Sequence, residues 1–341
     1  MNFKPRIFSF LLAFFLPFSA AAAEYTDGAI RLVLDGGTGR FSLYAANETT
    51  RQGRPLALFS DPDPRTSFLS VMVNDRSYRM GDASAFRTRL GDDSQNPSLI
   101  FESAFMTVTE EFSFVRTTSS GETNGVAITI TLENRGDSQI SAGARLLLDT
   151  NLGEGSRGFS FTTNLKDINS ETLVTKADAD NFWTDRNDKV SLSGSLNTTS
   201  PEDPDSVQFA NWKRLNDAVW KAPYQEGRNF NFPPYSVGDS AVCYYYDLRP
   251  LDQGQKRTFG LYLVLNKDNN FSFPRFASGE GSIQDLTLTE TKEQDLAALR
   301  GLMEKINAGI ALGNVTEEEI AAIEFALNKL RVKYIPGGDP R

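Results

Sequence analysis

Histidine is missing from the 341 residues. Its absence removes Ser-His-Asp and Cys-His catalysis, histidine-ligated zinc and copper, and any imidazole proton shuttle. Cysteine occurs once, as Cys243. A single thiol forms no intramolecular disulfide and no thiolate zinc site. Cys243 sits mid-strand beside three tyrosines and reads as a small buried apolar side chain. Hard-cation sites built from oxygen survive these exclusions. Long apolar runs are also scarce. The run at 7–18 falls short of the about 20 residues that span a bilayer.

That run follows Lys4 and Arg6 and precedes Ala21-Ala22-Ala23. A positive start, a short apolar stretch and small residues make a secretory signal peptide, 1–23, with cleavage expected near Ala23. No cysteine stands at the cut to carry a lipid anchor. No later segment is apolar enough to span a membrane. The expectation is an exported bacterial protein, periplasmic or at the cell surface. The chain carries 35 basic and 44 acidic residues, net −9; without Lys4 and Arg6 it has 33 against 44, net −11. An acidic surface repels phosphate backbones, so nucleic acid is not an expected partner.

What is present is alternation. Residues 28–44 read as a hairpin turning at Asp35-Gly36-Gly37. Short strands are expected at 56–59, 67–73, 99–109 and 111–117, with Asn74-Asp75 turning the second and Tyr78 beginning its return, and a long one at 126–133 with β-branched residues at alternate positions. Two apolar strands, in 140–155 and 240–248, look like the spine. Further strands are expected at 159–164, 171–175, 190–196, 206–212, 262–265 and 282–288. The acid-rich stretch 176–188 fails the EF-hand pattern, because the sixth position is not glycine and Lys189 stands where the glutamate belongs. It reads as a solvated loop. No helical period occurs from 25 to 276, and the glycine clusters near Gly36 and Gly153 lack nucleotide-loop endings.

The end of the chain changes character. Thr291 with Gln294, and Thr316 with Glu319, make two capping boxes. Leu296, Leu299, Met303, Ile306 and Ile310 then recur at helical spacing, as do Ile320, Ile323, Leu327 and Leu330. The predicted architecture is mainly β: a large antiparallel β-sandwich at 24–288, a C-terminal α-helical hairpin within 289–335, and a disordered tail at 336–341.

Several short motifs, in order between 34 and 265, resemble those of exported bacterial β-sandwich domains. Leu148-Asp149-Thr150-Asn151-Leu152-Gly153-Glu154 is similar to a Leu-Asp-Thr-x-Leu-Gly-Glu strand ending. Matches at 38–41, 66–68, 209–212 and 239–242 accompany it. The resemblance implies the supersandwich architecture of galactose-mutarotase-like proteins. It does not carry function, and mutarotase catalysis uses histidines that this chain lacks.

Arg145, Asp149, Glu154 and Asp239 form the first candidate site. They read as a structural ion network fixing strand ends, since buried charges need partners. A hard-cation site or a carboxylate pair for glycoside cleavage are the alternatives. The aromatics Trp183, Trp220, Tyr224 and Tyr235 are candidate ligand-binding rings, while Trp212 reads as core. No cofactor and no metal are expected. The functional expectation is a non-enzymatic structural or partner-binding protein of the bacterial envelope; the helical hairpin packs its apolar stripe on the sandwich or, as the alternative, docks a protein partner. A carbohydrate-binding module with a glycan partner, or a carboxylate-based glycoside hydrolase or lyase, stands as the alternative.

Overall fold

The computed structural model describes residues 22–60, 65–117, 121–150, 152–153, 161–178, 180–197, 202–266 and 273. The first four strands are β1 (Ala22–Asp27), β2 (Ile30–Asp35), β3 (Arg40–Thr49) and β4 (Pro55–Ala57). Then come β5 (Phe68–Val73), β6 (Arg76–Arg79), β7 (Arg87–Leu90), β8 (Ser98–Glu102), β9 (Met106–Val115), β10 (Gly125–Asn134) and β11 (Ile140–Leu148). The middle supplies β12 (Phe161–Thr163), β13 (Asp167–Ile168), β14 (Thr172–Thr175), β15 (Phe182–Arg186), β16 (Ser191–Ser195) and β17 (Ser206–Asn211). A short helix, α1 (Trp212–Asp217), precedes the two longest strands, β18 (Ser240–Leu251) and β19 (Lys256–Asn266).

These strands form three antiparallel sheets. One has β1 to β4 in chain order; one has nine strands, β13-β12-β15-β16-β19-β10-β9-β8-β7; one has six, β14-β17-β18-β11-β5-β6. The period of two explains the layering. Val126, Ile128, Ile130 and Leu132 of β10 share one core with residues of the six-stranded sheet. Ile140, Ala142, Ala144, Leu146 and Leu148 are the β11 contribution to it, and Val71 and Tyr244 are among those from β5 and β18. Full burial of each large aliphatic side chain there contributes about 1.5–3 kcal/mol. The spine expectation holds: β11 and β18 pair antiparallel within the six-stranded sheet, with Arg145 opposite Tyr245.

A second, smaller apolar cluster lies on the other face of the six-stranded sheet. It joins Phe68, Leu147, Ala241, Cys243 and Tyr245 to Leu215 of α1. Asn211 starts this helix, its side chain accepting from the Lys213 amide at 3.0 Å. Such a cap contributes about 1 kcal/mol. The helix ends at Ala218, which is extended.

Several expectations need correction. The break placed between 109 and 111 lies instead at 103–105, where the Ser103 hydroxyl accepts from the Met106 amide at 2.9 Å and β9 then runs unbroken. The helix α1 contradicts the absence of helix before 276; six residues are too few to show a period. The acid-rich stretch 176–188 is not a solvated loop, because 182–186 is strand β15 with Trp183 and Asp185 buried. The strands β1, β7 and β13 have no counterpart among the expected ones. The signal peptide up to residue 21, the helical hairpin and its capping boxes, the strand at 282–288 and the tail lie outside the described residues. Among the described residues, no helix is long and apolar enough to cross a membrane.

Candidate functional site

Arg145 is 2% exposed, and among the described residues it has no carboxylate partner. Its Nη1 donates to the Ala218 carbonyl at 2.9 Å, its Nη2 to the Leu215 carbonyl, and its Nε to Cys243 Sγ at 3.2 Å. The guanidinium therefore closes the carbonyl end of α1, where a cation is favoured by the helix dipole. Arg79 supports the same turn, its Nη2 3.0 Å from Asn216 Oδ1, and lies over the Phe68 ring at 3.8 Å.

The four residues expected to form one ion network do not do so around Arg145. Asp149 is buried at the end of β11, its amide donating to Ser67 Oγ at 2.9 Å and its carbonyl accepting from the Ser60 amide. The pairing of Leu148 with Val242 places Asp149 at the same sheet end as Asp239. Burial raises the Asp239 carboxyl, and a hydrogen bond with Ser236 opposes the rise. Glu154 lies outside the described residues.

The candidate aromatics divide. Trp183 is fully buried, its indole N–H 2.6 Å from the Tyr244 hydroxyl and its ring edge-on to Phe161. It is core, not a ligand platform. Gly194 makes room for it, since a Cβ at that position would collide with the indole. Trp220 is half-buried in the loop after α1. Tyr224 and Tyr235 are exposed, and Tyr235 stacks on Phe232 with Lys213 Nζ 5.4 Å from its ring centre. Trp212, read as core, is half-buried against the smaller cluster and donates to the Thr66 carbonyl.

Sequence reasoning misses several buried charges. Glu171 pairs with Arg214 and accepts from Gln208 Nε2 at 2.8 Å and from the Gln225 amide at 3.1 Å. Asp185, 2% exposed, is pushed up to about 7 by burial, and accepts from the Leu152 amide at 3.1 Å. Glu110, 1% exposed, is pushed up to about 8 by burial, with the Arg40 charge opposing. Nothing local in the chain marks these positions. Asp185 and Glu110 stand where alternation expects an apolar residue, and the partners of Glu171 come from distant segments.

One buried acid lines a cleft. Asp180, 4% exposed, lies between β14 and β15 with Oδ1 buried and without a hydrogen-bond partner. Its other oxygen, Oδ2, is 3.8 Å from Lys166 Nζ. The cleft, about 130 Å³, has an apolar part formed by Val174, Leu196, Pro204 and Val207, and an acidic part formed by Asp178, Asp180 and Asp203. Lys176 also lines it but reaches Asp205 at 3.3 Å. Among the described residues, no group of three or more acid, cysteine or histidine side chains is placed to hold a metal ion. The cleft offers acceptors beside a dry wall, an arrangement that suits a small molecule rich in hydroxyl or amine donors.

No family model and no curated protein matches the sequence. Solved structures do match in fold. A galactose mutarotase related enzyme from Lactobacillus acidophilus is 9% identical, with 74% of this chain and 100% of that one covered and a TM-score of 0.45. A galactose mutarotase-like protein from Lactobacillus casei is 9% identical, with 72% and 100% covered and a TM-score of 0.43. A candidate aldose 1-epimerase from Escherichia coli K12 is 10% identical, with 72% and 99% covered and a TM-score of 0.42. Likeness at these identities concerns architecture. The names nevertheless run against a non-enzymatic envelope protein that serves structure or partner binding, and that expectation is withdrawn. They lend nothing particular to its alternatives, a binding module or a carboxylate-based hydrolase or lyase.

Proposed function

We propose that the chain handles a small sugar, held at the acidic cleft lined by β14, the segment after it and the start of β17. One observation carries this reading: the cleft sets the acids Asp178, Asp180 and Asp203 against an apolar wall of Val174, Leu196, Pro204 and Val207. Val174, Leu196, Pro204 and Val207 would meet the C–H face of a ring while the acids accept from its hydroxyls. The size limits the ligand to a single ring or part of one, since drug-sized pockets run to roughly 300–1,000 Å³. Titration with glucose, galactose, mannose and xylose, followed by backbone amide shifts, tests the reading. Shifts should concentrate at 174–180 and 203–207. Silence there with every sugar would remove it.

Export belongs to the same proposal. Lys4, Arg6, the apolar run at 7–18 and the alanines before Glu24 support it. N-terminal sequencing of the protein recovered from the producing cell should begin at Glu24; an intact Met1 would count against it.

A further inference from the structure

We propose that the bond between Ala23 and Glu24 is open to cleavage only before β1 forms, so that the chain reaches its peptidase unfolded. This rests on the reading of the chain as exported and names the state in which it is processed. The bond lies inside a paired strand. Ala23 stands opposite Leu34 and Glu24 opposite Val33, and the pairing runs from Ala22 with Asp35 to Asp27 with Ile30. Both faces of β1 are engaged as well. Alternation puts Ala23 and Tyr25 on one face, where both are half-buried and Tyr25 packs against the main core. Glu24 points to the other face and meets Arg31 of β2 at 2.6 Å. A peptidase takes its substrate as an extended chain inside a groove, with main-chain hydrogen bonds like those of an added strand. In the folded precursor β2 already holds one edge of this segment and the core covers one face, so β1 must first come away. Cleavage then follows the population of the open form. Cutting first still leaves Glu24–Asp27 to pair with Ile30–Val33, whereas folding first shields the bond.

The test gives the full-length precursor to a purified bacterial signal peptidase in detergent micelles. One sample is diluted straight from urea into the peptidase; the other is first refolded, with circular dichroism showing strand content. Mass spectrometry follows the product that begins at Glu24. The refolded precursor should be cut at least about tenfold more slowly. Tyr25→Ala, which loosens β1 from the core, should speed cleavage of the refolded form several-fold and leave the rate from urea unchanged. Hydrogen exchange on the refolded precursor makes the same comparison without a peptidase or a variant. The β1 amides that face β2 should be protected, and exchange there at the unfolded rate would overturn the proposal. Equal cleavage of the two samples also overturns it and leaves export standing. A bond left whole in both samples overturns both readings.

Discussion

Arg145 and Asp180 are buried charges in two regions that treat them differently. Arg145 lies on the covered face of the six-stranded sheet, with the carbonyls of Leu215 and Ala218 and the Cys243 sulfur taking up its donors. Asp180 lies at a cleft, with one oxygen lacking a donor among the described residues. Burial alone therefore does not mark a functional residue. A charge whose hydrogen bonds are complete holds the fold; an open position alone does not mark a ligand site, since Glu110 and Asp185 also carry unmatched oxygens in the core and of these three acids only Asp180 lines the cleft.

Removing Arg145 puts this contrast under the greatest load. Arg145→Met leaves the buried Leu215 carbonyl and the half-buried Ala218 carbonyl unmatched, so urea unfolding should show a loss of about 3 kcal/mol. A loss below about 1 kcal/mol would mean that α1 does not depend on this side chain.

A change of pH should produce a comparable effect through the acids that sit in the core. Glu110 is raised to about 8 and Asp185 to about 7, both by burial. Their folded values exceed their unfolded ones, so between about pH 4 and pH 8 the folded state binds more protons. Stability should be highest at mildly acidic pH and fall on the order of 3 kcal/mol as pH rises through that window. Glu110→Gln should flatten much of the slope. A profile that rises across this range would contradict the assignment.

Smaller effects bear on the cleft and the loops. Asp180→Asn removes a buried charge without a complete set of partners, so it should leave stability unchanged or raise it by about 1 kcal/mol, while weakening sugar binding. A large loss in melting temperature would place Asp180 with Arg145 as a structural charge. Tyr235→Ala should change stability by less than about 0.5 kcal/mol, because the ring is exposed. A larger loss would show that its stacking on Phe232 holds the loop.

Strands with clear patterning, such as β10 and β18, are legible in the sequence because β-branched and apolar residues recur where the core needs them. Strand β15 is not, because Asp185 occupies an inward position within an acid-rich run. The helix α1 is hidden by its length. The partners of Arg145 cannot be read at all: two of them are backbone carbonyls, which every residue carries. The cleft is visible only as acids close together, since its apolar wall comes from Val174, Leu196 and Val207, which lie on different segments.

Trp183 has a practical consequence as a reporter. Its indole is sealed in the core and tied to Tyr244, whereas Trp212 and Trp220 sit partly in water. Light emitted by the sealed ring should be the bluest of the three, and its red shift would signal the moment water enters between the layers. Replacing the other two rings would leave a built-in optical gauge of how tightly the sandwich is closed.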